Sequence, residues 1–490
     1  MTVVFRLAAL LLGATLVAGP PPPPGFSFRI TPAGMQFASQ VATSELNQLI
    51  RHLPIPDFER GAGKATIEAS DVSVIRYNEA NFRYGFQNGR IQFSASDGDV
   101  YTIGNWKGKY DSIFGTIEAD GTFEADALSL NIQTDLALRR TPTGHMAFHD
   151  VRCNVDIGDL ELEIHGGVVA FILNLFSGLI EVGITPLVED EICATAIEYI
   201  NTNVNGLLET FPVTLEVVEG IVADYSMVAD PDIMPQRVET FHRGEVRVVG
   251  SDKVTPFEPE PLQTDSEPGD EQRMVNVFGS DFILNSLLYH AHESGLTHKL
   301  VTVEEYPDFA DLLAFKCPEG VPICLGGIFP ALQELYPDSH GEVEVRSTRR
   351  PIAEVATDQA MLEGGGSVLI KAIDPASGES VDAVELEVTG GALMALFILN
   401  GDTAEPKLAA AAEIGYVRID NIVSHIGDID EEELQELITT TLPIFNLLLN
   451  NEINQGFHIP DFQGIAGLRN AAIRMRPRTV ILTTDVYYNQ

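Results

Sequence analysis

The side chains of this 490-residue chain best suited by type to chemistry are a histidine and acid cluster, an acid-rich run and four cysteines. The cluster YHAHESGLTH carries His290, His292, Glu293 and His298, the donor types of a metal site. On a helix, positions i and i+2 face apart, so His290 and His292 cannot easily share an ion, and the segment reads as solvated surface. The run GDIDEEELQE (427–436) lacks the glycine that a calcium loop needs at its sixth position. It reads instead as a helix start, its carboxylates facing the positive end of the helix dipole. No G-x-S-x-G elbow, P-loop, G-x-G-x-x-G or H-E-x-x-H occurs. No catalytic residue, metal or cofactor is therefore expected, and the chain does not read as an enzyme.

The four cysteines allow three pairings. Cys153 with Cys193 and Cys317 with Cys324 is favoured, because each pair then lies within one half of the chain. Zinc binding is disfavoured, since no C-x-x-C is present. Disulfides imply an oxidising compartment, and the first 19 residues agree: Arg6 precedes the apolar run Leu7 to Ala18, which is too short to span a bilayer and ends in small residues. Residues 1–19 thus read as a signal peptide and the protein as secreted. Five prolines (Pro20 to Pro24) leave the cleavage point open, and no N-glycosylation sequon is present.

The formal net charge is −41, and no region is basic. Residues 26–253 carry −17, residues 254–272 carry −6, and residues 273–490 carry −19. Such a surface repels phosphate-rich polymers, which argues against nucleic acid as a partner.

The elements that hold these residues divide about a connector, VTPFEPEPLQTDSEPGDEQ (254–272), whose four prolines and six acids make it a semi-rigid strap. The expected domains are 26–253 and 273–490. In the first, Phe26 to Thr31 alternates as a short strand, and Thr31-Pro32 opens a helix that closes before Pro54. Met35, Ala38, Ala42, Leu46, Leu49 and Leu53 recur at helical steps as its apolar stripe. Alternating strands follow, with turns expected at Asn88-Gly89 and Asp120-Gly121, and Leu128, Leu130, Ile132, Leu136 and Leu138 on one face of a long strand. Helical pattern returns from Gly166 and is expected to break or kink at Pro186; Val168 to Leu179 is apolar nearly all round, as in a deeply buried helix. The second half repeats the order, with a helix from Ser280 to Ser294, strands through 340–425, a second apolar helix containing Pro443, and a closing strand at Val480 to Tyr488. Ile55-Pro56-Asp57-Phe58 is echoed by Ile459-Pro460-Asp461-Phe462.

Residues Pro24-Gly25-Phe26-Ser27-Phe28-Arg29-Ile30-Thr31, with Gly34, Ala38, Gln40 and Ile55-Pro56-Asp57, resemble the signature of the bactericidal/permeability-increasing protein family. That family includes lipopolysaccharide-binding protein and the phospholipid and cholesteryl ester transfer proteins. The proline-rich connector, the positions of Cys153 and Cys193, and the closing Thr484-Asp485-Val486-Tyr487-Tyr488 extend the resemblance along nearly the whole mature chain; Met35 stands where leucine is usual. The resemblance implies an α+β boomerang of two barrel-like domains, each a twisted antiparallel sheet wrapped on long helices, joined by a central sheet. It also implies a lipid in an apolar pocket of each domain. Candidate walls are then Met35, Ala38, Ala42, Leu46 and Leu49 with Val168, Phe171, Ile172, Leu175, Phe176 and Leu179. In the second half they are Phe282, Leu288, Leu437, Leu442, Phe445 and Leu449.

Endotoxin-binding members carry a basic cluster at the tip of the first domain. Here that region offers Lys64, Lys107 and Lys109 beside Trp106, diluted by Glu59, Glu68, Asp71, Asp111, Glu118 and Asp120. An exposed Trp flanked by lysines would touch a membrane interface; the alternative is an ordinary hairpin with a partly buried Trp. The expectation is a secreted, monomeric, non-enzymatic lipid-binding or lipid-transfer protein whose partners are phospholipid-like amphiphiles and, transiently, a membrane or lipid particle. Endotoxin-directed defence and an interaction protein with structural lipid are the alternatives.

Overall fold

A computed structural model describes residues 22–166, 170–218, 220–251, 253–265, 269–321, 323–403, 406–458 and 466–488. The leader (1–19) and the echo at 459–462 lie outside them.

The first half begins with β1 (Phe26–Ile30) and α1 (Pro32–Arg51). The Thr31 hydroxyl caps α1 by accepting from the Gly34 amide, with Pro32 in the first turn, where a missing N–H costs nothing. Antiparallel strands follow: β2 (Phe58–Ala62), β3 (Ala65–Asn78), β4 (Asn81–Gln87), β5 (Arg90–Ser112), β6 (Gly115–Arg140), β7 (Met146–Asp156) and β8 (Asp159–Gly166). They form one sheet in the order β2-β3-β5-β6-β7, with β4 on β5 and β8 on β6. Asn88-Gly89 makes the expected turn, both residues at positive φ.

Asp120-Gly121 does not turn. It lies inside β6, and the turn falls between Ser112 and Gly115, where Gly115 sits at φ +124°. Gly121 serves close packing: a Cβ there would sit 1.8 Å from the His165 carbonyl oxygen and 3.0 Å from the Trp106 indole nitrogen. The stripe of β6 is also corrected. Leu130, Ile132, Leu136 and Leu138 are buried, but Ser129 at φ 55° and the register shift beside it reverse the alternation, so Leu128 leaves that face for a half-buried position.

Helix α2 (Ala170–Tyr199) runs through Pro186, which is exposed, without ending; a π-helical turn at Ile200–Val204 follows. The first half ends with β9 (Arg237–His242) among its last strands, and the second half holds β10 (Val275–Ser280), α3 (Asp281–Glu293), then β11 (His340–Val355), β12 (Ala360–Ile373), β13 (Ser380–Leu399) and β14 (Lys407–Ser424). Helix α4 (Glu431–Ile453), capped by the Asp430 carboxylate, β15 (Ala466–Arg476) and β16 (Thr479–Tyr488) close it. Strands β11 to β14 lie in sequence order, flanked by the short strands Lys299–Val301 and Phe457–His458.

A third sheet joins the halves in the order 232–234, β9, β1, β10, β16, β15, so the first strand of the chain pairs on one side with β9 and on the other with β10. All these sheets are open; none closes into a barrel. The edge strand β7, and β14 beyond its short pairing with Phe457–His458, are covered by helices. Asn205 accepts from the Phe148 amide and donates to its carbonyl, Glu189 accepts from the Ile157 amide, and Cys153–Cys193 links β7 to α2. On β14, Asn450 grips Ala412, Asn446 grips Ile414, and Gln435 takes the Ile419 amide and the Val417 carbonyl.

The connector is tied to both halves. Arg29, 2% exposed, pairs with buried Glu239 at 3.2 Å, lies over the Phe278 ring at 4.7 Å and donates to the Thr264 carbonyl at 2.6 Å. Arg478 pairs with Glu260, Arg476 donates to the Asp265 carbonyl, and Phe257 packs edge-on against Phe282 and Tyr289.

Candidate lipid-binding surfaces

The largest apolar mass lies between α2 and the first sheet. Phe176, Leu179, Ile180, Ile184, Val188 and Ile192 recur at helical steps and are buried against Ile67, Ala69, Trp106, Phe123, Leu130 and Ile132. Of the expected wall, Phe176 and Leu179 are in this mass and half-buried Leu46 packs against it. Val168 lies outside the described residues, as do the side chains of Phe171, Ile172 and Leu175 on the helix. Met35 is buried in a different cluster, with Ile91, Leu136, Leu138 and Val238.

The stripe of α1 is turned from its expected position. Gly34, Met35, Ser39, Asn47 and Ile50 are buried, Leu49 is half-buried, and Ala38 and Ala42 face outward. The inward stripe is thus partly polar, which hydrophobic periodicity could not find. It borders a groove of about 610 Å³ between α1 and β4, with Ser39 and Thr43 on one side and Asn81 and Arg83 on the other.

In the second half Leu442 is buried and Leu437 half-buried on α4; Phe445 and Leu449 have only their backbone described. Phe282 and half-buried Leu288 are on α3. Phe282 packs on connector residue Phe257, at the centre of the molecule and apart from α4. The interior of the second sheet is occupied by Leu313, Phe315, Leu325, Phe329 and Leu332, from short helical turns around the Cys317–Cys324 disulfide, packed with Leu434 and Ile370. The cysteine pair was the available signal for this module.

Trp106 corrects the expected tip. It is 1% exposed, stacks obliquely on Phe176 at 5.3 Å and donates to the His165 carbonyl at 3.2 Å. Along β5, Thr102, Gly104, Trp106 and Gly108 point inward, while Ile103, Asn105, Lys107 and Lys109 point outward. Indole and lysines are therefore on opposite faces. Register places Lys107 between Glu68 and Asp120, and Lys109 opposite Glu118, with an ion pair at 3.4 Å. Lys64 is exposed in the β2–β3 turn, its carbonyl accepting from the Asp111 amide. Beyond the lysines, the β5–β6 turn holds Ile113, 83% exposed, and Phe114, 94% exposed. The Ser112 hydroxyl fixes this turn, donating to the Gly115 carbonyl and accepting from the Phe114 amide. Sequence reading missed this pair because it placed the turn at Asp120-Gly121.

On the same outward face, Asp126 stands opposite Glu161 and Glu124 opposite Glu163. Burial and these like charges raise the Asp126 pKa against the opposing pull of Arg76. The face around the lysines is anionic.

His290, expected at the surface, is 1% exposed. Its Nε2 meets the Thr255 hydroxyl at 3.0 Å and lies 3.6 Å from buried Glu245, and burial lowers its pKa. The connector covers it, a long-range contact that local spacing does not encode. His292 meets the Ser347 hydroxyl and His298 the Glu344 carboxylate, and no metal-binding group occurs among the described residues.

Residues 34–210 match the N-terminal domain, and residues 216–488 the C-terminal domain, of the LBP / BPI / CETP family. The chain is 21% identical to bactericidal permeability-increasing protein of Sebastes schlegelii, over 95% of each chain. It is 22% identical to lipopolysaccharide-binding protein of Bos taurus (95% of this chain, 94% of that one) and 23% identical to phospholipid transfer protein of Mus musculus (91% and 87%). A crystal structure of lipopolysaccharide binding protein superposes with a TM-score of 0.57 at 22% identity, covering 96% of this chain and all of that one. Two matched domains, the central sheet and the helix-covered open sheets lead to one conclusion: this chain belongs to the LBP / BPI / CETP family of lipid-binding proteins.

Proposed function

We propose that this protein is a secreted, non-enzymatic carrier of phospholipid-type amphiphiles, and that it meets neutral or zwitterionic lipid surfaces through the Ile113–Phe114 turn. The ligand's chains would lie against the apolar side of α2 around Phe176 and Leu179 and, in the second half, against α4 around Leu437 and Leu442. The observation that carries this reading is the register of the tip. Lys107 stands between two acids and Lys109 forms an ion pair, while the turn beyond them presents two unshielded apolar side chains. Recognition of a multiply phosphorylated lipid needs several unopposed cations. Exposed ion pairs are worth only about 0–1 kcal/mol and weaken with salt, so they offer little to such a ligand. Apolar side chains at a hairpin end instead favour an uncharged interface.

Endotoxin recognition is the second reading, favoured by relatives named for lipopolysaccharide binding. The two separate by organic extraction of the purified protein followed by titration with phosphatidylcholine vesicles and with lipopolysaccharide at rising salt. Extracted phospholipid and salt-insensitive vesicle binding support the carrier. Tight, salt-sensitive lipopolysaccharide binding that disappears in the Lys107→Ala, Lys109→Ala variant overturns it.

A further inference from the structure

The second sheet carries a cleft on the face turned away from its core. Gly364 pairs with Gly390, Glu363 with Gly391 and Gly391 with Tyr416, and bulges fall at Arg349 to Ile352 and at Gly391 to Ala392. Glycines and bulges aligned across adjacent strands crease a sheet. The crease opens into a cleft of about 590 Å³, within the range of about 300–1,000 Å³ typical of small-molecule sites.

Register gives the outward rows. Ile352, Glu363, Gly391 and Tyr416 form one, and Glu354, Met361, Leu393 and Glu413 the next. Alternate residues Ala353, Val355 and Ala360 are buried on the other side. Ile352, Met361, Leu393 and Tyr416 are between 38% and 51% exposed. A single exposed apolar residue is ordinary, but four on neighbouring strands make a patch that calls for a partner.

The charges around the patch specify the partner. Arg349 donates to the Thr389 hydroxyl at 2.9 Å, and Arg350 lies over the Phe257 ring at 4.6 Å. Neither has a carboxylate within ion-pair distance among the described residues, although Arg349 acts through space on Asp420, whose carboxylate accepts from the same Thr389 hydroxyl. Glu354 and Glu363 line the same cleft. Two arginines and two carboxylates line the cleft and Glu413 ends the neighbouring row, so the site is dipolar and not cationic, with Glu363 one two-residue step, about 7 Å, along β12 from the position opposite Arg349.

We propose that this cleft is an external site for a zwitterionic phosphocholine-type headgroup carrying one alkyl chain. The phosphate lies on Arg349 and Arg350, whose forked donors suit it. The ammonium lies between Glu363 and the face of Tyr416. The chain lies over Ile352, Met361 and Leu393. Because Phe257 belongs to the connector, occupancy also bears on the strap that crosses the two halves.

The test titrates the full chain with dodecylphosphocholine below its micelle threshold, and with dodecyl sulfate, by calorimetry and native mass spectrometry. Wild type is expected to take up one phosphocholine amphiphile that Met361→Asp and Tyr416→Ala bind at least tenfold more weakly, and Glu363→Lys is expected to shift preference toward dodecyl sulfate. These side chains are exposed, so the variants should melt as wild type does, and lipid extracted from the interior should be unchanged, which separates this site from the carrier reading. Displacement by free phosphocholine assigns the site to soluble zwitterions. Loss in Met361→Asp of binding to phosphatidylcholine vesicles alone assigns it to lipid surfaces. Equal dodecylphosphocholine affinity in wild type and both apolar-face variants, or equal wild-type affinity for the two detergents, overturns the proposal.

Discussion

Replacing Ile113 and Phe114 together by serine removes the apolar pair at the β5–β6 turn while leaving the fold intact. The two side chains are 83% and 94% exposed, so they contribute almost no burial to folding, and surface changes of this kind alter stability by about ±0.5 kcal/mol. Their worth lies in transfer to lipid. Full burial of an Ile or Phe side chain is worth about 1.5–3 kcal/mol, so the pair carries about 3–6 kcal/mol in a lipid interface. At about 1.4 kcal/mol per tenfold, the double variant should bind phosphatidylcholine vesicles at least about a hundredfold more weakly. Neutralising Lys107 and Lys109 should change binding little, because acids already face both across the strands. Vesicle flotation with an unchanged thermal melt reads out the result. A folded double variant that floats like wild type would refute the assignment of the turn, whatever lipid the interior holds.

Three further outcomes follow from buried contacts. Glu239→Gln removes the carboxylate 3.2 Å from buried Arg29, and breaking a buried pair costs up to about 3–5 kcal/mol; chemical denaturation should show the loss, and faster proteolysis of the connector should accompany it through the Arg29–Thr264 bond. Cys193→Ser opens the link between β7 and α2 and removes up to about 4 kcal/mol of chain-entropy stabilisation, read as a lower melting temperature. His290 and His242 are both held below the usual histidine pKa by burial. The unfolded chain therefore takes up protons first, and stability present above about pH 6.5 falls as pH drops through that value; His290→Gln should shallow that slope in denaturation between pH 7.5 and 5.5, and an unchanged slope would remove His290 from it.

Period and turn chemistry made most of the architecture legible. Helix α1 with its Thr31-Pro32 start, the long strands and the acidic start of α4 all follow from local rules, because each is set by neighbours within a few residues. The site was less legible. Trp106 was grouped with Lys107 and Lys109 by closeness in sequence, although strand parity sends them to opposite faces. The Ile113–Phe114 turn was hidden because Asp120-Gly121 has turn composition; Gly121 is instead required by the close approach of β8 and Trp106. His290 and the polar stripe of α1 depend on partners far along the chain, Thr255 and Glu245 for the former and β4 for the latter, and no local window contains them.

The open sheets also explain why a family fold usually drawn as barrels needs its long helices. An open sheet leaves a row of unpaired amides and carbonyls at each edge, a template for association with other chains. In the first half α2 and the turn after it protect β7 with Asn205, Glu189 and a disulfide at Cys153. In the second half α4 protects β14, among the described side chains, with Asn450, Asn446 and Gln435, each gripping both a donor and an acceptor of the strand. Side-chain amides can serve both groups because they carry a carbonyl and an NH₂ at fixed spacing. One helix is thus fastened covalently and the other by hydrogen bonds that can reform. Of the two, α4 is the helix whose separation from its sheet breaks no covalent link.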